Sequence, residues 1–144
     1  MSKKIVITGG IGYIGTELCK IYSGISWNNE IIVMDNRFIS ERVNQLRNWN
    51  MEFIHGDILD KDVVSKYCKD ADIVHHLAGI TDVPRTQSET NEDKDQKIMS
   101  VAQQGTQNIL DVISDKCKII LPSTHVVYEG IEKVEKDILE DKKT

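Results

Sequence analysis

Thr8-Gly9-Gly10-Ile11-Gly12-Tyr13-Ile14-Gly15 is the stretch from which the architecture can be read. Before it, Lys3-Lys4-Ile5-Val6-Ile7-Thr8 has the continuous apolar character of a buried strand. After it, Ile14, Leu18, Ile21 and Tyr22 recur at helical spacing up to a stop at Gly24. Gly10, Gly12 and Gly15 fit G-x-G-x-x-G, and Gly9, Gly12 and Gly15 fit the wider G-x-x-G-x-x-G spacing. Both patterns answer the same physical demands. A tight turn needs residues without Cβ. A backbone that approaches a pyrophosphate closely needs another. The helix N-terminus then presents free N–H groups and the positive end of its dipole. Between a strand and a helix, the pattern predicts a dinucleotide-binding turn. Asp35 lies 20 positions past Gly15, at the end of the next apolar run. A carboxylate there can accept both hydroxyls of an adenosine ribose. Its charge repels a 2′-phosphate, which favours NAD over NADP, with Arg37 as the opposing feature.

Outward from this unit, strand-length apolar runs keep alternating with helical stretches. Strands are predicted at 30–35, 51–55, 72–77 and 117–122. Helices are predicted at 40–48 with Ser40 as cap, from an Asp60 cap to Cys68, and from the end of a polar stretch at 84–97 to about Ser114. Strands of this kind joined by helices imply a parallel sheet covered on both faces, an α/β doubly wound domain. It occupies residues 1–130, and the charge-rich segment 131–144 reads as a solvated, mobile tail. The whole chain has 144 residues, enough to bury roughly two-thirds of what it exposes unfolded. At 40% hydrophobic and 28% charged it is an ordinary globular composition, without an apolar run long enough for a membrane helix. A net charge of −5 argues against nucleic acid as a partner. Cys19, Cys68 and Cys117 are odd in number and widely spaced, which suits a reducing cytoplasm and frames no zinc site.

Further motifs follow in order. Together with Thr8–Gly15 they resemble the extended short-chain dehydrogenase/reductase family, the NAD-dependent epimerase/dehydratase group. Gly56-Asp57-Ile58 is similar to the Gly-Asp-Ile/Leu after that family's third strand, where the Asp holds the adenine amino group. His76-Leu77-Ala78-Gly79 resembles its fourth strand end, which lies along the cofactor. Gly105-Thr106-Gln107-Asn108-Ile109-Leu110 resembles its Gly-Thr-x-Asn-Leu-Leu helix, and Ser123-Thr124-His125-Val126-Val127-Tyr128 its Ser-Ser/Thr-x-x-Val-Tyr. The resemblance implies a Rossmann-like sheet of five strands in the order 3-2-1-4-5, lacking the family's C-terminal part. It implies NAD held by Gly9, Gly12, Tyr13, Ile14, Gly15, Asp35, Asn36, Arg37, Asp57, Ile58, Leu77, Ala78 and Gly79. Thr124 would be the catalytic Ser/Thr, a nucleotide sugar the substrate, and a second copy the partner.

Two departures qualify the family pattern. Ala102 stands where the family usually has Asn, and His125-Val126 stands where its 4,6-dehydratases carry Asp-Glu. The family's base is Tyr with Lys four positions later, the ammonium bringing the phenol towards neutrality. Tyr13, Tyr22, Tyr67 and Tyr128 are followed at that spacing by Glu17, Ser26, Ala71 and Glu132, so none qualifies. The chain is therefore expected to bind cofactor without turning over substrate. The alternative is a nucleotide-binding or interaction module without catalysis. Adjacent strand residues point to opposite faces, so His75 and His76 are not expected to share a metal. Trp27 and Trp49 read as packing caps, and Cys117 as core.

Overall fold

The computed structural model describes residues 2–25, 28–80 and 91–123. Thr124, His125, Tyr128, Trp27, segment 84–90 and the 131–144 tail lie outside the described residues. The first unit is β1 (Lys4–Thr8), α1 (Tyr13–Ser23) and β2 (Glu30–Asp35). Next come α2 (Ser40–Asn48), β3 (Glu52–His55), α3 (Lys61–Cys68) and β4 (Ile73–His76). The last described part holds α4 (Asn91–Ser100), a π-helical turn at Val101–Gly105, α5 (Thr106–Leu110) and β5 (Lys118–Ile120).

The five strands form one parallel sheet in the order β3-β2-β1-β4-β5, as expected. The central strand carries apolar side chains on both faces: Ile5, Val6 and Ile7 are all fully buried. Val6, Ile32, Met34 and Val74 pack on one face with Ile58, Val64, Cys68 and Ile109. Ile5, Ile7 and Val33 pack on the other with Ile11, Cys19, Leu46 and Met51. This two-sided burial explains why the strands lack polar alternation.

Several boundaries depart from the sequence reading. Ser40 is the first residue of α2 rather than its cap. The helix opens at Ile39, whose carbonyl accepts from Val43 N at 3.0 Å, with no side-chain cap bond. Ile39 packs on the core there, and that contact outweighs the preference for a hydroxyl cap. Asp60, in contrast, caps α3 as predicted, its carboxylate accepting from Asp62 N at 3.0 Å and Val63 N at 3.2 Å. β5 spans three residues rather than six. Among the described residues it pairs with β4 alone. The helix expected to end near Ser114 begins by Asn91, inside the stretch read as polar, passes through the π-turn and ends at Leu110. Trp49 packs at the end of α2 as expected, and Cys117 lies half-buried against the core just before β5.

Candidate functional site

In a parallel sheet the loops leaving the strands' carboxyl ends gather along one edge. Here those loops are 9–12, 36–39, 56–60 and 77–80, and they contain most of the residues singled out in the sequence.

The glycine turn is bound to its neighbours from three sides. Gly12 N donates to Gly9 O at 3.0 Å, and Gly10 N to Met34 O at 3.3 Å. Arg42 of α2 donates from Nη1 to the Ile11 carbonyl. Gly9 has φ +67°, and a Cβ there would lie 2.7 Å from Ala78 N. A Cβ on Gly10 would meet the Val33 side chain at 2.2 Å, and one on Gly15 the Gly10 backbone at 2.6 Å. The turn therefore needs glycine at Gly9, Gly10 and Gly15, combining both spacings. α1 starts at this turn with no side-chain cap and no acid in its first turn. Thr16 N returns to Gly12 O at 3.0 Å. Tyr13 and Ile14 direct their side chains outward, 90% and 65% exposed.

Asp35 ends β2 almost fully buried. Its Oδ2 accepts from Ile11 N at 3.3 Å and its Oδ1 from Arg37 N at 3.0 Å. The Arg37 guanidinium pairs with the same carboxylate, Nε to Oδ1 at 3.2 Å. Asn36 Nδ2 donates to Asp57 Oδ2 at 3.2 Å, and Asp57 Oδ1 accepts from Leu59 N at 2.9 Å. The acids after β2 and β3 thus stand side by side through Asn36. Phe38 meets Phe53 and His55 edge-on beside them. Ile58, in contrast, directs its side chain into the core. Leu77 is half-buried, and Gly79 faces open space, with no atom within 4 Å of a Cβ position. The structure gathers the glycine turn, Asp35, Asn36, Arg37, Asp57 and the Leu77–Gly79 segment along one edge. Thr124 lies outside the described residues.

Sequence reasoning quoted the Gly105–Leu110 motif without giving its residues work. Gly105 has room only for hydrogen, since a Cβ would meet Ile58 Cδ1 at 2.3 Å. Buried Asn108 donates from Nδ2 to Ile58 O at 3.0 Å and Leu59 O at 3.2 Å, fastening the loop that carries Asp57. The contacts of His75 and His76 were also missed. His75 Nε2 meets Tyr22 Oη at 2.7 Å on the α1 face. His76 meets Thr8 and Thr106 on the opposite face. Their separation fits the alternation argument, and among the described residues no cluster of metal-binding side chains forms. Burial pushes the Cys19 thiol up to about 12 and Cys68 to about 11, so both are inert packing groups.

Comparison with known proteins places this geometry. Residues 6–139 match the 3-beta hydroxysteroid dehydrogenase/isomerase family. The chain is 34% identical over 142 residues to a CDP-paratose 2-epimerase of Salmonella typhi, covering 90% of this chain and 39% of that protein. It is 30% identical over 130 residues to a UDP-N-acetyl-alpha-D-glucosaminuronate decarboxylase of Bacillus cytotoxicus, covering 89% of this chain and 38% of that one. A UDP-glucose-4-epimerase from Stenotrophomonas maltophila, solved with NAD and formylated UDP-arabinopyranose, superposes with a TM-score of 0.71 at 19% identity. It covers 92% of this chain and 40% of that one, and shows the shared fold. The chain spans about two-fifths of the length of these relatives. By its matched residues and its sheet order, this chain belongs to the 3-beta hydroxysteroid dehydrogenase/isomerase family, within the extended short-chain dehydrogenases/reductases.

Proposed function

We propose that this chain is the NAD-binding part of an enzyme that transfers hydride at a carbon of a nucleotide sugar. The observation that carries the reading is the buried Asp35 carboxylate, held against the glycine turn by Ile11 N–H. A carboxylate at the end of the second strand accepts ribose hydroxyls and disfavours a 2′-phosphate. The uncapped start of α1 offers its N–H groups to a pyrophosphate. The open space at Gly79 leaves room along the other wall. The residues present fit the dinucleotide. Gly9, Gly12, Tyr13, Ile14 and Gly15 would hold the pyrophosphate side. Asp35, Asn36 and Arg37 would hold the ribose, Asp57 and the backbone of Ile58 the adenine, and Leu77, Ala78 and Gly79 the nicotinamide side. When bound, NAD supplies the hydride chemistry and the protein supplies position. Thr124 would hydrogen-bond the reacting hydroxyl or carbonyl.

The Tyr-x-x-x-Lys pair is absent from the 144 residues, so cofactor binding without turnover is expected of this chain. The nucleotide-sugar assignment draws on the relatives, which include a CDP-paratose epimerase and a UDP-sugar decarboxylase. Two readings extend it: residues 1–130 form the domain, and two copies pair as the family resemblance implies. Three free cysteines suit a cytoplasmic setting.

Calorimetric titration with NAD and NADP tests the binding. NAD is expected to bind at least about tenfold more tightly than NADP, and Asp35→Ala to weaken NAD by about tenfold or more. Arg37→Ala should weaken NAD less than Asp35→Ala does, because Ile11 N–H still orients the carboxylate. A wild-type chain that ignores NAD, or a folded Asp35→Ala chain that binds it equally well, overturns the proposal. Turnover of a UDP-sugar by the chain alone overturns the expected inactivity.

A further inference from the structure

Three polar side chains form a chain of hydrogen bonds beneath the glycine turn, and the nucleotide reading leaves them without a role. His76 Nδ1 lies 2.8 Å from Thr8 Oγ1, and His76 Nε2 lies 3.0 Å from Thr106 Oγ1. Thr8 Oγ1 also accepts from Ala78 N at 3.3 Å. Thr8 ends β1, His76 ends β4 and Thr106 opens α5. Thr8 is completely buried and His76 is 2% exposed, so neither can turn to water for a partner.

The donor count sets the tautomer. The Thr8 hydroxyl has one hydrogen and already accepts from Ala78 N–H. Among the described residues its hydrogen has one acceptor, His76 Nδ1. Nδ1 therefore carries no proton, and Nε2 carries it and donates to Thr106. Burial lowers the pKa of His76, which keeps the ring neutral in this arrangement.

The consequence falls on Ala78. Its peptide nitrogen is the group that a Cβ on Gly9 would strike, so the β4 exit and the glycine turn touch there. Leu77 N donates to Thr8 O at 3.1 Å, and Ala78 N to the Thr8 hydroxyl, so consecutive peptide groups are tied to one residue. Asn108, two residues past Thr106, fastens the Ile58–Leu59 backbone on the far side of the edge. One short helix start thus braces both walls.

We propose that His76, as its Nε2–H tautomer, is a positioning residue that links α5 to the glycine turn through Thr8 and holds the Ala78 wall in place. The part that concerns NAD rests on the proposed cofactor site; the linkage itself does not.

The test uses the full chain labelled with nitrogen-15. The imidazole nitrogen shifts of wild-type His76 should show an unprotonated Nδ1 and a protonated Nε2. His76→Leu should accelerate hydrogen exchange at the Ala78 amide and weaken NAD by about tenfold, the scale of one buried hydrogen bond. His76→Asn places an amide oxygen near the Nδ1 position, where it can accept from Thr8, and should restore part of both, because it does not reach Thr106. A protonated Nδ1 in the wild type overturns the proposal. So does a His76→Leu chain with unchanged Ala78 exchange. The tautomer is read on the wild type, so the test survives a variant that fails to fold. A wild-type chain with the Nε2–H tautomer that does not bind NAD overturns the cofactor reading and leaves the linkage supported.

Discussion

Gly9 shows how much one residue can carry. Its φ of +67° is a conformation that L side chains rarely adopt, and its missing Cβ leaves room for the Ala78 backbone. Gly9→Ala meets both penalties, and we expect it to lower unfolding free energy in urea by at least about 2 kcal/mol. Gly24 provides the contrast. It closes α1 at φ −82°, with the nearest atom 3.6 Å from a Cβ position. Gly24→Ala should be neutral or slightly stabilising, because it restricts the unfolded chain without strain in the folded one. Equal effects at the two positions would contradict the close approach at Gly9. The spacing of the glycines was plain in the sequence. Which of them needed a left-handed backbone was not, since that depends on what lies against each one.

At the scale of elements, the two caps separate local from tertiary control. Asp60 is an acid just before a helical run, and its carboxylate takes the first free N–H groups of α3. Asp60→Ala should cost about 1 kcal/mol in chemical denaturation, and Asp60→Ser or Asp60→Asn much less. Ser40 presents a similar local signal, yet the chain enters α2 at Ile39, whose side chain packs on the core. A Ser40→Ala change is accordingly expected to fall within about 0.5 kcal/mol of wild type. α4, the π-turn and α5 make the same point. Polar composition concealed the helix from Asn91, and no periodicity announces the π-turn that ends at Gly105, the residue pressed on Ile58.

Across the whole molecule, the sheet buries two imidazoles on its opposite faces. Burial holds both His75 and His76 below the ordinary imidazole value, and Lys118 adds to the effect at His75. Each ring is therefore less basic folded than unfolded. The stability this provides is complete above the unfolded value, about 6.5, and is lost as pH falls through it towards the folded values. We expect the urea midpoint to hold steady from about pH 8 to 7 and to fall by about pH 5.5. The fall should be smaller in His75→Gln, which cannot take up a proton. An identical fall in that variant would exclude His75 as its source. Tyr13, Ile14 and Ile21 leave an apolar stripe along α1, at 90%, 65% and 61% exposure.

The α/β class and the five strands follow from what one segment of chain can encode, whereas their order was expected from the family resemblance. Apolar runs of strand length, helical spacing and a glycine cluster between them are local patterns, and right-handed crossovers leave few ways to assemble them. Asp35 was legible for the same reason, because it ends an apolar run, whereas Asp57 was singled out only by the family resemblance. The bonds that make the edge a site join residues far apart in sequence. Thr8 and His76 are 68 positions apart, Ile58 and Asn108 are 50 apart, and Ile11 and Asp35 are 24 apart. No spacing rule reaches across such separations. Which hydroxyl meets which imidazole, and which amide meets which carboxylate, is settled only when sheet and helices pack and every buried polar group must find a partner.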